Sequence, residues 1–314
     1  MITFNESINN RTLDTEWNIF IYCRVVFIIC AVIDVVGFCA NFFSILVFVS
    51  QRKLRKKHNT FVINLAVADC LAGFWGFLWN AFFGYPRILN KGKLGFTGIV
   101  VLSMFDYVIM ASILSIFAVS LERFSAVVTP LKHAHYTRQR TLMYYIICIW
   151  CISITNVFDY HSGPRFCYME RSLILILVAL VCFMYIPIFF IARNTTIKRQ
   201  NTITAIHKDK IQTAMHVLKI FGPIVAVLWL NMFLQIGNVV SCGHRNVSND
   251  FLSYYLYTFW ASYSINTAVN PFIYWGRQTQ FRIGSKNMLK TCKLTIANLF
   301  VNDTQNSVNT ISGN

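Results

Sequence analysis

The amino-acid sequence predicts an all-α membrane protein, a seven-transmembrane helix bundle with a short amphipathic eighth helix. Three observations lead there. Of 314 residues, 56% are hydrophobic and 13% charged, against roughly a quarter charged in average soluble chains. The apolar residues collect into seven long runs, each near the ~20 residues a bilayer-crossing helix uses. Basic residues crowd into alternate connections between those runs. A soluble enzyme, a disordered chain and a disulfide-stapled secreted domain are excluded, and a transmembrane barrel would show ~10-residue alternating segments instead.

Residues 1–18 are polar and read as an N-terminal tail, with glycosylation sequons at Asn5 and Asn10. The apolar runs cover 19–49, 60–84, 96–121, 142–158, 172–193, 211–240 and 251–275, defining a transmembrane domain over 19–275. All are long enough for helices, and the fourth is the shortest. Connections on one side, with the C-terminal segment, hold nineteen Lys and Arg; those on the other side hold eight. The positive-inside rule puts the basic side in the cytoplasm and the N-terminus outside, as an odd number of spans requires. Asn246 then joins Asn5 and Asn10 as an outward sequon, whereas Asn194 and Asn302 fall inside. The net charge of +16 belongs to this cytoplasmic face, so nucleic acid is not an expected partner. Residues 276–292 are basic with interleaved Phe281, Ile283, Met288 and Leu289, which suits a short helix lying on the inner leaflet; a solvated basic tail is the alternative. Cys292 is a palmitoylation candidate, and 293–314 form a cytoplasmic tail.

An ionisable group costs several kcal/mol in hydrocarbon, so each one inside a span marks a candidate site. Spans one to three contain Asp34, Asp69, Asp106, Glu122 and Arg123, and Asn41, Asn64, Asn266 and Asn270 add amides. Pro271 lies within span seven. It lacks a backbone donor, so it frees a carbonyl that a neighbouring polar group can satisfy. No Cys or His spacing suits zinc, and no GxSxG, HExxH or phosphate-binding loop is present. Covalent chemistry is not expected.

The order of these residues resembles the rhodopsin-like G-protein-coupled receptors over roughly residues 20–290. Asn64-Leu65-Ala66-Val67-Ala68-Asp69 is similar to the family's NLAxAD, and Glu122-Arg123-Phe124 varies its DRY motif, with Pro130 in the following loop. Gly37 to Asn41, Trp150, Pro187, the NPxxY run from Asn270 to Tyr274, and Phe281-Arg282 complete the match. The resemblance implies a plasma-membrane receptor that couples an extracellular ligand to a heterotrimeric G protein. It implies a sodium and water site at Asp69, Ser112, Asn266 and Asn270, with Asn41, Trp229 and Tyr274 in the same switch network. A hydrogen-bonded network without an ion is the alternative. Arg123 would be held by Glu122 when off and meet the G protein when on. Thr304, Ser307, Thr310 and Ser312 are candidate arrestin-recruiting sites.

Several positions depart from the family. Aligned on Trp229, the proline of CWxP is Asn231, and Pro223 lies nearer the cytoplasm. Eight residues after Pro187, where a Tyr usually contacts the switch arginine, stands Thr195, and Ile211 replaces the acid of the ionic lock. Weak locks imply appreciable basal activity. Gly98 replaces the span-three cysteine of the standard bridge. Cys23, Cys167 and Cys242 remain as disulfide candidates, paired or free.

The aminergic counter-ion position is Phe105, with Asp106 one step around the helix; the retinal lysine position is Ser264. The inferred pocket, Trp79, Phe105, Asp106, Met232, Phe233, Trp260 and Tyr263, is aromatic and mainly apolar, as small-ligand sites are. A small lipid-like molecule or a short peptide therefore fits better than an amine. A seven-span transporter using Asp34, Asp69 and Asp106 as an ion pathway, and a receptor relative that only scaffolds partners, are the competing classes.

Overall fold

The computed structural model describes residues 2–55, 59–84, 95–129, 139–158, 164–197 and 249–311. These include six of the seven expected spans; the sixth, at 211–240, lies outside the described residues. In hydrocarbon every backbone polar group must be satisfied within the protein, so apolar runs of this length fold as helices. Span one is the C-terminal part of a continuous helix, Ile2–Ser50, whose apolar portion is Ile21–Ser50. The polar residues expected as a separate tail thus extend this helix, because nothing between them and the first span breaks it.

Span two runs as an α-helix over Thr60–Leu78 and continues as a π-helical turn, Trp79–Phe83. Span three, Phe96–Val128, starts after Gly95 in extended backbone and outruns its expected end at 121. Span four is α-helical over Gln139–Ser153 and tightens to a 3-10 turn at Ile154–Phe158. Span five covers Pro164–Ile197 and contains Pro187. Span seven covers Asn249–Arg277 and contains Pro271.

One residue, Gln278, separates span seven from a tail helix, Thr279–Ile311. The expected eighth helix is therefore present, and it continues past 292. Phe281, Gly284, Ser285 and Met288 form its inward stripe, with the first three buried and Met288 half-buried. Gly284 faces Val47, Gln51 and Leu54 at the end of span one. Ile283 and Leu289 are exposed, as are Lys286 and Lys290, which is the two-sided character of a helix on a membrane surface.

Span one packs on two and seven, span two on three, and span three on four and five. The approach of spans one and two is set by Gly73. A Cβ there would lie 2.8 Å from the Asp34 carbonyl oxygen and the Phe38 nitrogen. Ile28, Val32, Phe42 and Val49 point outward and exposed, so apolar side chains cover the outside of the bundle while polar ones gather inside. That inversion identifies a multi-pass membrane protein.

Candidate polar switch network

Asp69 is the centre of the interior. It is fully buried, and both carboxylate oxygens are engaged. Oδ1 accepts a hydrogen bond from Ser112 Oγ at 2.5 Å and Oδ2 accepts one from Asn270 Nδ2 at 2.6 Å. Three spans thus meet at one carboxylate. The carboxylate and the Ser112 hydroxyl offer oxygens of the kind a small monovalent cation takes, so these residues fit the implied sodium site. Asn266 is buried on the same span as Asn270.

Asn41 serves the backbone of spans one and seven. Its Nδ2 donates to the Gly37 carbonyl and to the Thr267 carbonyl, both at 2.9 Å. Thr267 is four residues before Pro271, so its carbonyl is the one that proline cannot serve. The asparagine of span one takes the place of the missing donor and fastens span one to span seven. It does not touch the Asp69 carboxylate.

A second knot joins spans two, three and four. Asn64 Nδ2 donates to Ser115 Oγ at 2.8 Å, and Trp150 Nε1 donates to Asn64 Oδ1 at 3.0 Å. The Trp150 indole thereby has a partner although it sits at the edge of the bundle, and Tyr107 packs against its ring.

At the far end of span three, Glu122 is buried and neither carboxylate oxygen makes a hydrogen bond. Glu122 and Arg123 therefore attract one another electrostatically without a hydrogen bond at the carboxylate. From span five the Tyr185 hydroxyl meets Ser120 and stands within the electrostatic reach of Arg123. Position 195 is Thr, yet span five thus still brings a tyrosine near the arginine. The tyrosine stands two residues before Pro187, and counting from that proline looked too far along the helix. One of the two grounds for appreciable basal activity is thereby weakened; the other, Ile211, lies outside the described residues. Tyr274 is fully buried with its hydroxyl unbonded. Its ring meets Phe48 edge-on at 6.2 Å and Phe281 at 6.3 Å, while Phe48 and Phe281 lie 5.1 Å apart. Phe124 is half-buried.

Toward the opposite end, Phe105 is buried with its ring near Gly76, and Asp106 is half-buried beside it. Trp79 and Tyr263 are also buried. A second buried carboxylate, Asp34, accepts from Asn80 Nδ2 at 2.6 Å; Asn80 drew no notice in the sequence, since a lone amide in an aromatic run carries no pattern. Of the cysteines, Cys23 is a free thiol buried within the bundle and Cys292 an exposed one. Of the two alternatives left open for Cys23, paired or free, the free thiol is the one present. Pro130, Trp229, Met232, Phe233, Cys242 and Asn246 lie outside the described residues, as do the side chains of Asn5, Asn10, Cys167 and Trp260. Among the described residues no cluster of three or more His, Cys, Asp or Glu assembles.

A model of the family described as "7 transmembrane receptor (rhodopsin family)" matches residues 40–274. The chain is 25% identical to the histamine H2 receptor of Homo sapiens over 306 residues, covering 88% of this chain and 82% of that receptor. It is 27% identical to melanocortin receptor 5 of Mus musculus over 265 residues, covering 80% and 79% respectively. A shorter match, 31% identical over 135 residues, is to the octopamine receptor beta-1R of Drosophila melanogaster, covering 41% of this chain and 26% of that receptor. The family consists of receptors rather than enzymes, and its model spans the helices that carry the Asp69 network, from Asn41 to Tyr274. The chain belongs to the rhodopsin family of seven-transmembrane G-protein-coupled receptors.

Proposed function

We propose that this receptor sits in the plasma membrane with its N-terminus outside. There it binds a small, largely apolar ligand or a short peptide, and it promotes nucleotide exchange on a heterotrimeric G protein. The supporting observation is the convergence of spans two, three and seven on the Asp69 carboxylate through Ser112 and Asn270. A ligand acts only through its different affinities for two states. Hydrogen bonds between membrane helices average about 0.6 kcal/mol, so a network of a few such bonds can be rearranged by ordinary binding energy. Phe105, Trp79 and Tyr263 give the ligand end its apolar lining, while Arg123, Tyr185 and Tyr274 stand at the G-protein end. A sodium ion held by Asp69 and Ser112 would favour the resting arrangement by adding charge between the three spans. The tail helix, with its basic face and exposed Cys292, anchors the cytoplasmic end on lipid, and phosphorylation beyond it would recruit arrestin.

The transport reading draws no support from a family of receptors, and its three acids do not share one environment: Asp34 and Asp69 are fully buried while Asp106 is only half-buried. The deciding experiment is a ligand-library screen in cells with a promiscuous G-protein reporter. An active ligand should raise reporter output in the wild type and leave Arg123→Ala silent at equal surface expression. Equal responses in the two would refute the assignment of the switch.

A further inference from the structure

The Asp69 network leaves a second buried carboxylate unused. Asn80 lies eleven residues beyond Asp69 in span two, about 16 Å along the helix, and Asp34 meets it there from span one. Asp34, Asn80 and Ser264 are 1%, 4% and 1% exposed. Three elements build the place. Gly76 opens it, since a Cβ there would come within 2.9 Å of both Asp34 Oδ2 and the Phe105 ring. The π-helical turn at Trp79–Phe83 widens the helix by one residue and brings Asn80 inward, a device often found at functional sites. Ser264 faces the Asp34 carboxylate from span seven without reaching hydrogen-bond geometry.

Three buried oxygens remain there without a hydrogen bond: Asp34 Oδ1, Asn80 Oδ1 and Ser264 Oγ. A buried carboxylate with an orphaned oxygen is costly, and such groups in a membrane mark function. An ammonium group carries one positive charge and three donors, which matches one carboxylate and three acceptors. Beside it, on the outer face of the bundle, runs a groove of about 590 Å³ between spans one and two, lined by Phe27, Ile28, Ala31, Val32, Val35 and Phe77 and reaching Asn80. Its walls are mainly apolar, and its one basic residue, Arg24, is ten residues from Asp34 along span one.

We propose that Asp34, Asn80 and Ser264 hold the ammonium head of an amphiphilic primary amine whose hydrocarbon body lies in the groove between spans one and two. This rests on the receptor reading and goes beyond it, adding a ligand site on spans one, two and seven beside the Phe105, Trp79 and Tyr263 lining, with its counter-ion, Asp34, on span one. It is consistent with a largely apolar ligand, since only the head is polar.

The test measures melting of the purified full-length receptor in nanodiscs with hexylammonium chloride, against 1-hexanol and against sodium chloride at equal ionic strength. Hexylammonium at saturation should raise the apparent melting temperature by about 2 °C or more, and neither control should do so. The rise should vanish in Asp34→Asn, shrink in Ser264→Ala, and persist in Asp69→Asn and Asp106→Asn. A rise that survives Asp34→Asn, that disappears in Asp106→Asn, or that sodium alone produces would overturn the proposal, as would no rise at all. If Asp34→Asn melts well below the wild type without any amine, Ser264→Ala decides. Failure of G-protein coupling is a separate result, because this measurement involves no G protein.

Discussion

Replacing Asn41 by Ala should expose how span seven tolerates its proline. The variant removes the Nδ2 donor at 2.9 Å from the Thr267 carbonyl. The Gly37 carbonyl, four residues before Asn41 in the same helix, keeps its own backbone partner. The Thr267 carbonyl does not, because Pro271 has no N–H to return. A buried carbonyl left alone costs about 1–3 kcal/mol, and inter-helix hydrogen bonds in membranes are worth about 0.6 kcal/mol with a ceiling near 1.7. The loss should therefore be about 1–2 kcal/mol, or roughly 2–8 °C of apparent melting temperature at a fixed scan rate. Part of any loss is the cavity left by the side chain, so the decisive measurement is a double-mutant cycle. Pro271→Ala restores an N–H that can serve Thr267 along the helix. In that background Asn41→Ala should cost less than half as much. Equal costs in the two backgrounds, within about 0.5 kcal/mol, would refute the claim that asparagine stands in for the missing donor.

Other perturbations probe the remaining contacts. Gly73→Ala forces a methyl against backbone 2.8 Å away and should destabilise by about 1–3 kcal/mol. Gly276→Ala, which meets nothing within 4 Å, should change melting by less than about 0.5 kcal/mol; similar effects of the two would be evidence against close packing of spans one and two. Trp150→Phe should cost about 1 kcal/mol in the wild type by orphaning Asn64 Oδ1, and close to nothing in an Asn64→Leu background, where that oxygen is gone. Tyr185→Phe removes the hydroxyl beside Ser120 and Arg123 and should change ligand-independent nucleotide exchange by about fivefold, equivalent to 1 kcal/mol between two states. An unchanged exchange rate at equal receptor level would show that this hydroxyl has no part in the switch.

Much of the architecture was legible in the chain because membrane burial writes it in long apolar runs, and the described spans fall where those runs lie. The Asp69 centre was legible too, since polar groups in hydrocarbon must find one another and Asp69, Ser112 and Asn270 do so. Distance along a helix was a poorer guide. Tyr185 was missed because Pro187 served as the ruler. Asn80 was missed because a π-helical turn changes which residue faces inward, and nothing in Trp79-Asn80-Ala81-Phe82-Phe83 announces that extra residue. Asn41 was placed in the network and the carbonyl freed by Pro271 was foreseen, but not that the one serves the other, because a backbone carbonyl has no side-chain signature.

The polar contacts are stacked along the bundle, and each level ties a different set of spans. Asp34 and Asn80 join one and two, Asn41 joins one and seven, and Asp69 joins two, three and seven. Asn64 joins two, three and four. Span two takes part in three of these levels and is also pressed against span one at Gly73, a steric contact that cannot be exchanged for another. At the other end, span five reaches span three through the Tyr185 hydroxyl, and Glu122 has no hydrogen bond to hold it. A helix pair locked by backbone contact moves as one body, whereas spans held by hydrogen bonds of about 0.6 kcal/mol can trade partners. The mechanical consequence is that spans one and two form the fixed side of the receptor. Conformational change belongs to the Arg123 end of spans three and five and to span seven beyond Pro271, where Tyr274 carries a buried hydroxyl with a partner still to gain.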